Sequence, residues 1–377
     1  MIVRRSTLLA PVVATILVHA LLTAIFVGKH RGDPSSLACV GESRATEPPY
    51  EKVTFHTDAW PNGYDGQFYY VIARSPFGRQ PEGLHGIDWP GARQLRILYP
   101  AACWLISWGD AQLLFWIMPI VNVAALGGLA ALGAAVARAH GLNVWWGFAL
   151  PFALNAGMPV LRDLTEPMAM LGVFGLLAGW LLRSPWWWLA LWGSIAVLSR
   201  EQNVAVVGII VFGAACTRRW AVALGLLGVL AGWLGWVCYL HWLYGTWPFL
   251  PSEGNLGLPF AGMIHRWAHL SGDLGGSKRT AIIQAITLTQ LAVETLMALY
   301  MTMRPGDRVV RACMLAGAAL AVLAGRWIYV DLWSYGRVFF WMPVGIWLGA
   351  TQQRWQFGLM ILTPACLWEL LAVLGWV

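Results

Sequence analysis

The most constraining feature of this chain is its unbroken apolar runs. Stretch after stretch of ~14 to 25 residues carries almost no charge. Strands of a membrane barrel would alternate apolar and polar side chains every second residue, and these runs do not, so helices are expected. Only 11% of the residues are charged and 58% are hydrophobic, whereas a soluble domain carries about 25% charged residues. Such a chain cannot coat itself for water. The expected fold class is an all-α polytopic membrane protein with about ten or eleven transmembrane helices.

Arg4 and Arg5 precede an apolar run over 7–27. That run is long for the apolar core of a signal peptide, and no clear cleavage signal follows, so it is expected as the first span with its amino end in the cytoplasm. Residues 28–97 form the longest polar segment and are expected as a first extracytoplasmic loop; residues 245–279 are expected as a second. Further spans are expected over 98–136 (broken at Gly109-Asp110), 142–161, 167–182, 186–198, 204–215, 221–244, 280–303, 309–324, 338–351 and 357–377, all within a single transmembrane domain, 1–377. The turns assigned to the cytoplasm hold Arg138, Arg183, Arg218, Arg219, Arg304, Arg308 and Arg354. The short outer turns hold few basic residues, which is the asymmetry that sets orientation. The expected location is therefore multi-pass, in a bacterial inner membrane.

The net charge of +7 reports topology more than partners. There is no Lys/Arg-rich run, so no nucleic-acid footprint is read. The 25 Trp residues suit interface anchoring and packing among membrane lipids. The six cysteines contain neither a CxxC pair nor a metal-ligand spacing, which argues against a disulfide framework and a zinc site.

On this topology the unusual polar residues fall on the outer side. The first loop carries Gly63-Tyr64-Asp65-Gly66-Gln67-Phe68-Tyr69-Tyr70. Two short turns carry Arg162-Asp163-Leu164-Thr165-Glu166 and Arg200-Glu201, and a later one carries Tyr335-Gly336-Arg337. Charge near membrane depth is costly, ~2.5 to 3.5 kcal/mol per residue at a helix centre. Turns like these either line a polar cavity or are interfacial turns with local ion pairs. Glu166 adjoins Pro167 at an expected helix start, where a carboxylate suits the positive end of the dipole. Glycines on both sides of Asp65 suit a turn with unusual backbone angles, one that pushes a carboxylate outward among aromatic rings. A carboxylate so placed can take a proton from a hydroxyl; an Asx-type turn packed on the membrane surface is the plainer alternative. Arg74, Arg79, Arg93, Arg96, Arg162, Arg200, Arg326 and Arg337 are all expected outside, where guanidinium groups bind phosphate oxygens, of a substrate or of ordinary lipid headgroups. The second loop adds His265, Arg266, His269 and Asp273, and Glu294 lies mid-span.

With its first-loop Asp65, the following Arg96-Ile97-Leu98-Tyr99-Pro100, Asn122 in the second span, Asp163 and Glu166, Arg200-Glu201 and Tyr335-Gly336-Arg337, the chain resembles the GT-C superfamily of membrane glycosyltransferases. The resemblance covers most of the chain as architecture and ~40 residues as motif. It implies an inverting transfer from a polyprenyl-phosphate-linked sugar donor to a lipid or glycan acceptor on the extracytoplasmic face, with Asp65 as general base and Asp58 as its rival. Arg200 and Arg337 would neutralise the leaving phosphate. Tyr64, Gln67, Arg162, Asp163, Glu166, Glu201 and Tyr335 would position the sugar or the arginines. No cofactor is implied. The first loop has no Asp-X-Asp or Glu-X-Asp pair, so a divalent-metal requirement stays open. The rival readings are a transporter or flippase of a lipid-linked or anionic solute, and a non-catalytic membrane assembly subunit.

Overall fold

The computed structural model describes residues 6–42, 57–58, 63–81, 86–249, 254–270, 278–330, 332–362, 370–371 and 373–374. These residues are overwhelmingly helical. In chain order the helices are α1 (Ser6–Lys29), α2 (Gly66–Arg74), α3 (Pro90–Gln94), α4 (Leu98–Ser107), α5 (Ala111–Ala139), α6 (Trp146–Ala153), α7 (Glu166–Leu181) and α8 (Trp186–Ser199). They continue with α9 (Val204–Cys216), α10 (Trp220–Tyr244), α11 (Ala261–Ala268), α12 (Lys278–Thr302), α13 (Arg308–Leu323), α14 (Leu332–Val338), α15 (Trp341–Gln352) and α16 (Gln356–Leu362). A two-residue parallel pairing, Val40–Gly41 with Thr57–Asp58, is the one sheet among the described residues.

Among the described residues, four helical segments are long and apolar enough to cross a bilayer: Leu8–Lys29, Ala111–Ala139, Trp220–Tyr244 and Ala281–Thr302. α5 is 67% buried over its most apolar window, whereas α1 and α10 are only 28% and 22% buried there. α5 is thus a core helix, while α1 and α10 leave Leu17, Leu21, Leu224 and Leu234 exposed. The shorter apolar helices α7 (16 residues), α8 (14) and α9 (13) reach about 24 Å or less at 1.5 Å per residue, short of a ~30 Å hydrocarbon layer.

The chain divides into two compact units. One comprises Val13–Gly128 and Pro159–Leu250; the other comprises Met1–Val12, Leu129–Met158 and Pro251–Val377. In the first, α7 packs on α8 and α8 on α10. The α7–α8 contact is close because Gly172 and Gly175 leave no room for a Cβ against Ala196 and the Trp192 ring, the small-residue device of tightly packed apolar helices. In the second unit, α15 packs against α12 and α13. α13 begins at Asp307, whose carboxylate accepts the backbone N–H groups of Val309 and Val310, satisfying donors that a helix start leaves orphaned.

Two departures from the sequence reading have clear physical causes. The stretch 142–161, expected as one span, is α-helical only over the eight residues of α6, with a 3-10 turn over Met158–Arg162. α6 ends where Asn155 turns the chain with φ +52°, a left-handed angle through which an α-helix of L-residues does not continue. Burial persists although the helix stops: Leu154, Ala156, Val160 and Leu161 are all buried. The segment 28–97, expected as a polar loop, contains α2 and α3. Every residue of α2 from Gly66 to Ala73 is buried. Tyr70 stacks on Phe115 at 4.4 Å and Tyr69 meets Tyr99 edge-on at 6.5 Å. Burial pushes the Tyr70 phenol up to about 12, and its hydroxyl donates to the Ala111 carbonyl at 3.1 Å. An aromatic helix of nine residues is too short to register as a span, yet it forms the centre of this unit's core.

Candidate functional site

Asp65 is placed by its flanking glycines. Gly63 has φ +64°, a conformation that costs a side chain strain, and a Cβ there would also overlap the Cys39 carbonyl oxygen and the Gly41 nitrogen. Gly66 is required for space: a Cβ there would overlap the carbonyl oxygen of Arg162. The chain around Asp65 is pinned further by Tyr64, whose N–H donates to the Cys39 carbonyl at 2.9 Å. Gln67 is buried, and its side-chain oxygen accepts the Gly41 N–H at 3.2 Å. The expected cost of Gly66→Ala is about 1–3 kcal/mol of stability; thermal unfolding of the purified variant checks it.

Asp65 initiates α2 with its side chain 20% exposed, and Arg93 of α3 holds it at 3.0 Å. The same guanidinium takes Asp88 through two bonds of 3.0 and 2.9 Å and lies 4.8 Å from the centre of the Phe68 ring. Burial alone would make Arg93 easier to deprotonate, but Asp65 and then Asp88 more than reverse this and hold its pKa above the ordinary value. One turn on, Arg96 makes a bidentate pair with Glu201, 2.8 Å in each arm, and donates to the Tyr69 hydroxyl at 2.9 Å. Its pKa too stays well above the ordinary value: burial lowers it, while Glu201, Tyr69 and Asp65 raise it. Asp65, Asp88, Arg93, Arg96 and Glu201 thus form one charged cluster, in which three carboxylates face two guanidinium groups.

Arg162 stands beside this cluster, with its guanidinium 5.9 Å from the centre of the Tyr64 ring and one amino group directed at Cys39 Sγ. Arg200 and Glu166 form a separate pair. Both are buried, and Glu166 opens α7, where the helix dipole favours a carboxylate. Asp163 is fully buried with φ +48°. Its Oδ1 accepts the Tyr99 hydroxyl at 3.5 Å, and Asn122 Nδ2 donates to that same hydroxyl at 3.0 Å and to the Leu164 carbonyl at 3.1 Å.

Burial pushes the Asp163 carboxyl well above the usual carboxylate range. Folded Asp163 therefore holds its proton where the unfolded chain, at ~3.9, has lost it. The stability linked to that proton is complete below ~pH 4 and is lost as pH rises towards the folded value. Asp163→Asn should flatten this decline, which unfolding temperatures measured from acid to mildly alkaline pH would display.

All of these residues belong to one unit. Tyr335 and Arg337, on α14, belong to the other, where both are buried. Tyr335 lines a cavity of about 40 Å³ with Asn155, Gln290 and Glu294. There Gln290 donates to the Glu294 carboxylate at 2.9 Å, and Asn155 donates to the Gly336 carbonyl at 3.0 Å. Trp60, Pro61, Asn62, His85, Asp273, Asp331 and the side chain of Asp58 lie outside the described residues. Among the described residues, no three His, Cys, Asp or Glu side chains gather as a metal-ligand set.

The sequence reading grouped Arg93 and Arg96 with all the outer arginines and gave Asp88 no role. The spacing of the two arginines was the available signal: positions three apart share a face wherever the chain turns helically. No protein-family model, curated protein or solved structure matches the chain.

Proposed function

We propose that this chain is a multi-pass membrane glycosyltransferase of the GT-C type, with about ten or eleven spans and its reacting centre at Asp65 on the extracytoplasmic face of a bacterial inner membrane. The observation that carries the reading is the Asp65 carboxylate, partly exposed, fixed by Arg93 and set among Tyr64, Phe68 and Tyr69. Aromatic rings beside carboxylates suit a sugar, whose C–H faces stack and whose hydroxyls need acceptors. The partly exposed carboxylates of Asp65 and Asp88 in the cluster suit a hydroxyl-bearing ligand and proton removal. The long apolar helices with exposed leucines support the membrane setting.

In this mechanism Asp65 takes the proton of the acceptor hydroxyl as that oxygen attacks the anomeric carbon. The bond from that carbon to the phosphate oxygen breaks, and polyprenyl phosphate leaves with the electron pair. We assign the contact with the departing phosphate to Arg162. Arg200 already has its charge matched by buried Glu166, so its part is to hold the α7 and α8 ends in place. Transfer from a panel of radiolabelled polyprenyl-phosphate sugars, in lipid nanodiscs with a lipid and glycan extract, tests the reading. Labelled product from the wild type but not from Asp65→Asn supports it. Transport of the donor with no new glycosidic bond would replace it with a flippase.

A further inference from the structure

The second unit contains a basic cavity that the proposed transfer chemistry does not use. It encloses about 390 Å³ and is lined by His265 and Arg266 at the end of α11, and by Arg326, Trp327, Tyr329 and Val330 on the turn after α13. Its walls are fixed. The Gly257 and Phe260 N–H groups donate to the Leu323 and Val322 carbonyls, and the Gly325 N–H donates to the Asn255 carbonyl at 2.8 Å. Gly262 sits so close to the Ala324 carbonyl and the Tyr329 ring that a Cβ would overlap both. The Tyr329 hydroxyl is committed to the Ala321 carbonyl at 2.8 Å.

Among the described residues, the charges in this cavity are not balanced. Arg266 is only 3% exposed. Its guanidinium donates to the side-chain oxygen of Gln284, a neutral acceptor, at 2.8 Å from Nε and again from Nη2. Arg326 lies over the Trp327 ring, 5.4 Å from its centre. His265 stacks on His269 at 4.5 Å. Among the described residues, no carboxylate pairs with Arg266 or Arg326. A buried guanidinium is ordinarily matched by an anion, and two facing one cavity are the usual means of holding phosphate oxygens. Trp327 and Val330 of the lining are exposed, and so are Leu258, Ile264 and Trp267, in and just before α11. Trp beside aliphatic side chains around a basic pocket is the composition of a surface seated at the headgroup level of a bilayer.

We propose that this cavity binds the phosphate group of a lipid, with Arg266 and Arg326 as the phosphate ligands and these exposed apolar side chains against the acyl region. The inference does not rest on the glycosyltransferase reading and uses none of its residues. Native mass spectrometry of the full chain, delipidated in a non-ionic detergent, tests it with two probes: a phosphatidic acid and inorganic phosphate. The wild type should retain phosphatidic acid, and Arg326→Gln should weaken retention ~10-fold or more, the size expected for losing a charged hydrogen-bond donor. Arg326 is exposed, so that variant should melt like the wild type without lipid. It keeps the test sound even if Arg266→Gln fails to fold. Inorganic phosphate binding as tightly as the lipid, with the same dependence on Arg326, would overturn the lipid and leave a site for soluble phosphate. Equal retention by wild type and Arg326→Gln, or retention of neither probe, would overturn the site.

Discussion

Asp65→Asn is expected to lower sugar transfer by about 10²–10⁴-fold, the usual contribution of a positioned general base. The amide keeps the shape of the side chain but cannot accept a proton. It also keeps an oxygen that can accept from Arg93, now 3.0 Å away, so α2 and α3 should stay together and the unfolding temperature should change little. Donor binding, read by retention of a labelled polyprenyl-phosphate sugar, should be nearly unchanged. Loss of the chemical step without loss of binding is the signature of an interaction made in the transition state. Full transfer activity in this variant would remove Asp65 from the mechanism. Equal loss of binding and of stability would make it a structural partner of Arg93.

Arg200→Met should be the most damaging single change to the fold, costing about 3–5 kcal/mol, because it leaves the fully buried carboxylate of Glu166 without its cation. Glu166 can then only protonate or draw water into the interior, and both cost free energy. The double variant Glu166→Leu/Arg200→Met should recover most of the loss, since an apolar pair of similar volume is often as stable as a buried ion pair. A double-mutant cycle on unfolding free energies separates the outcomes. Additive losses would mean that the two side chains are not coupled. If Arg200 binds the donor phosphate, the double variant would fold yet lose donor retention; the geometry here leads us to expect retention to survive.

The helices and the polar turns between them were legible in the sequence because hydropathy is a local property. A run such as 111–136 states its own conformation, and Gly109-Asp110 states where it is interrupted. The Asp65 turn was legible for the same reason, although only Gly63 is needed for its backbone angle; Gly66 answers to the Arg162 carbonyl pressed against it. α2 was hidden by its length, and the end of α6 was misjudged because an apolar stretch stays buried after its helix stops.

What the sequence by itself determined is an apolar helical chain with most of its charges in loops and turns, since burying an unsatisfied backbone group or a lone charge costs free energy at each residue. What only the tertiary structure decided is which charge meets which. Arg96 finds Glu201 across 105 positions of chain, Arg200 finds Glu166, and Arg266 and Arg326 meet no carboxylate at all among the described residues. Partner choice depends on distances of a few ångströms between segments remote in sequence, because a hydrogen-bonded ion pair forms only at contact geometry, and no local pattern of residues encodes that distance.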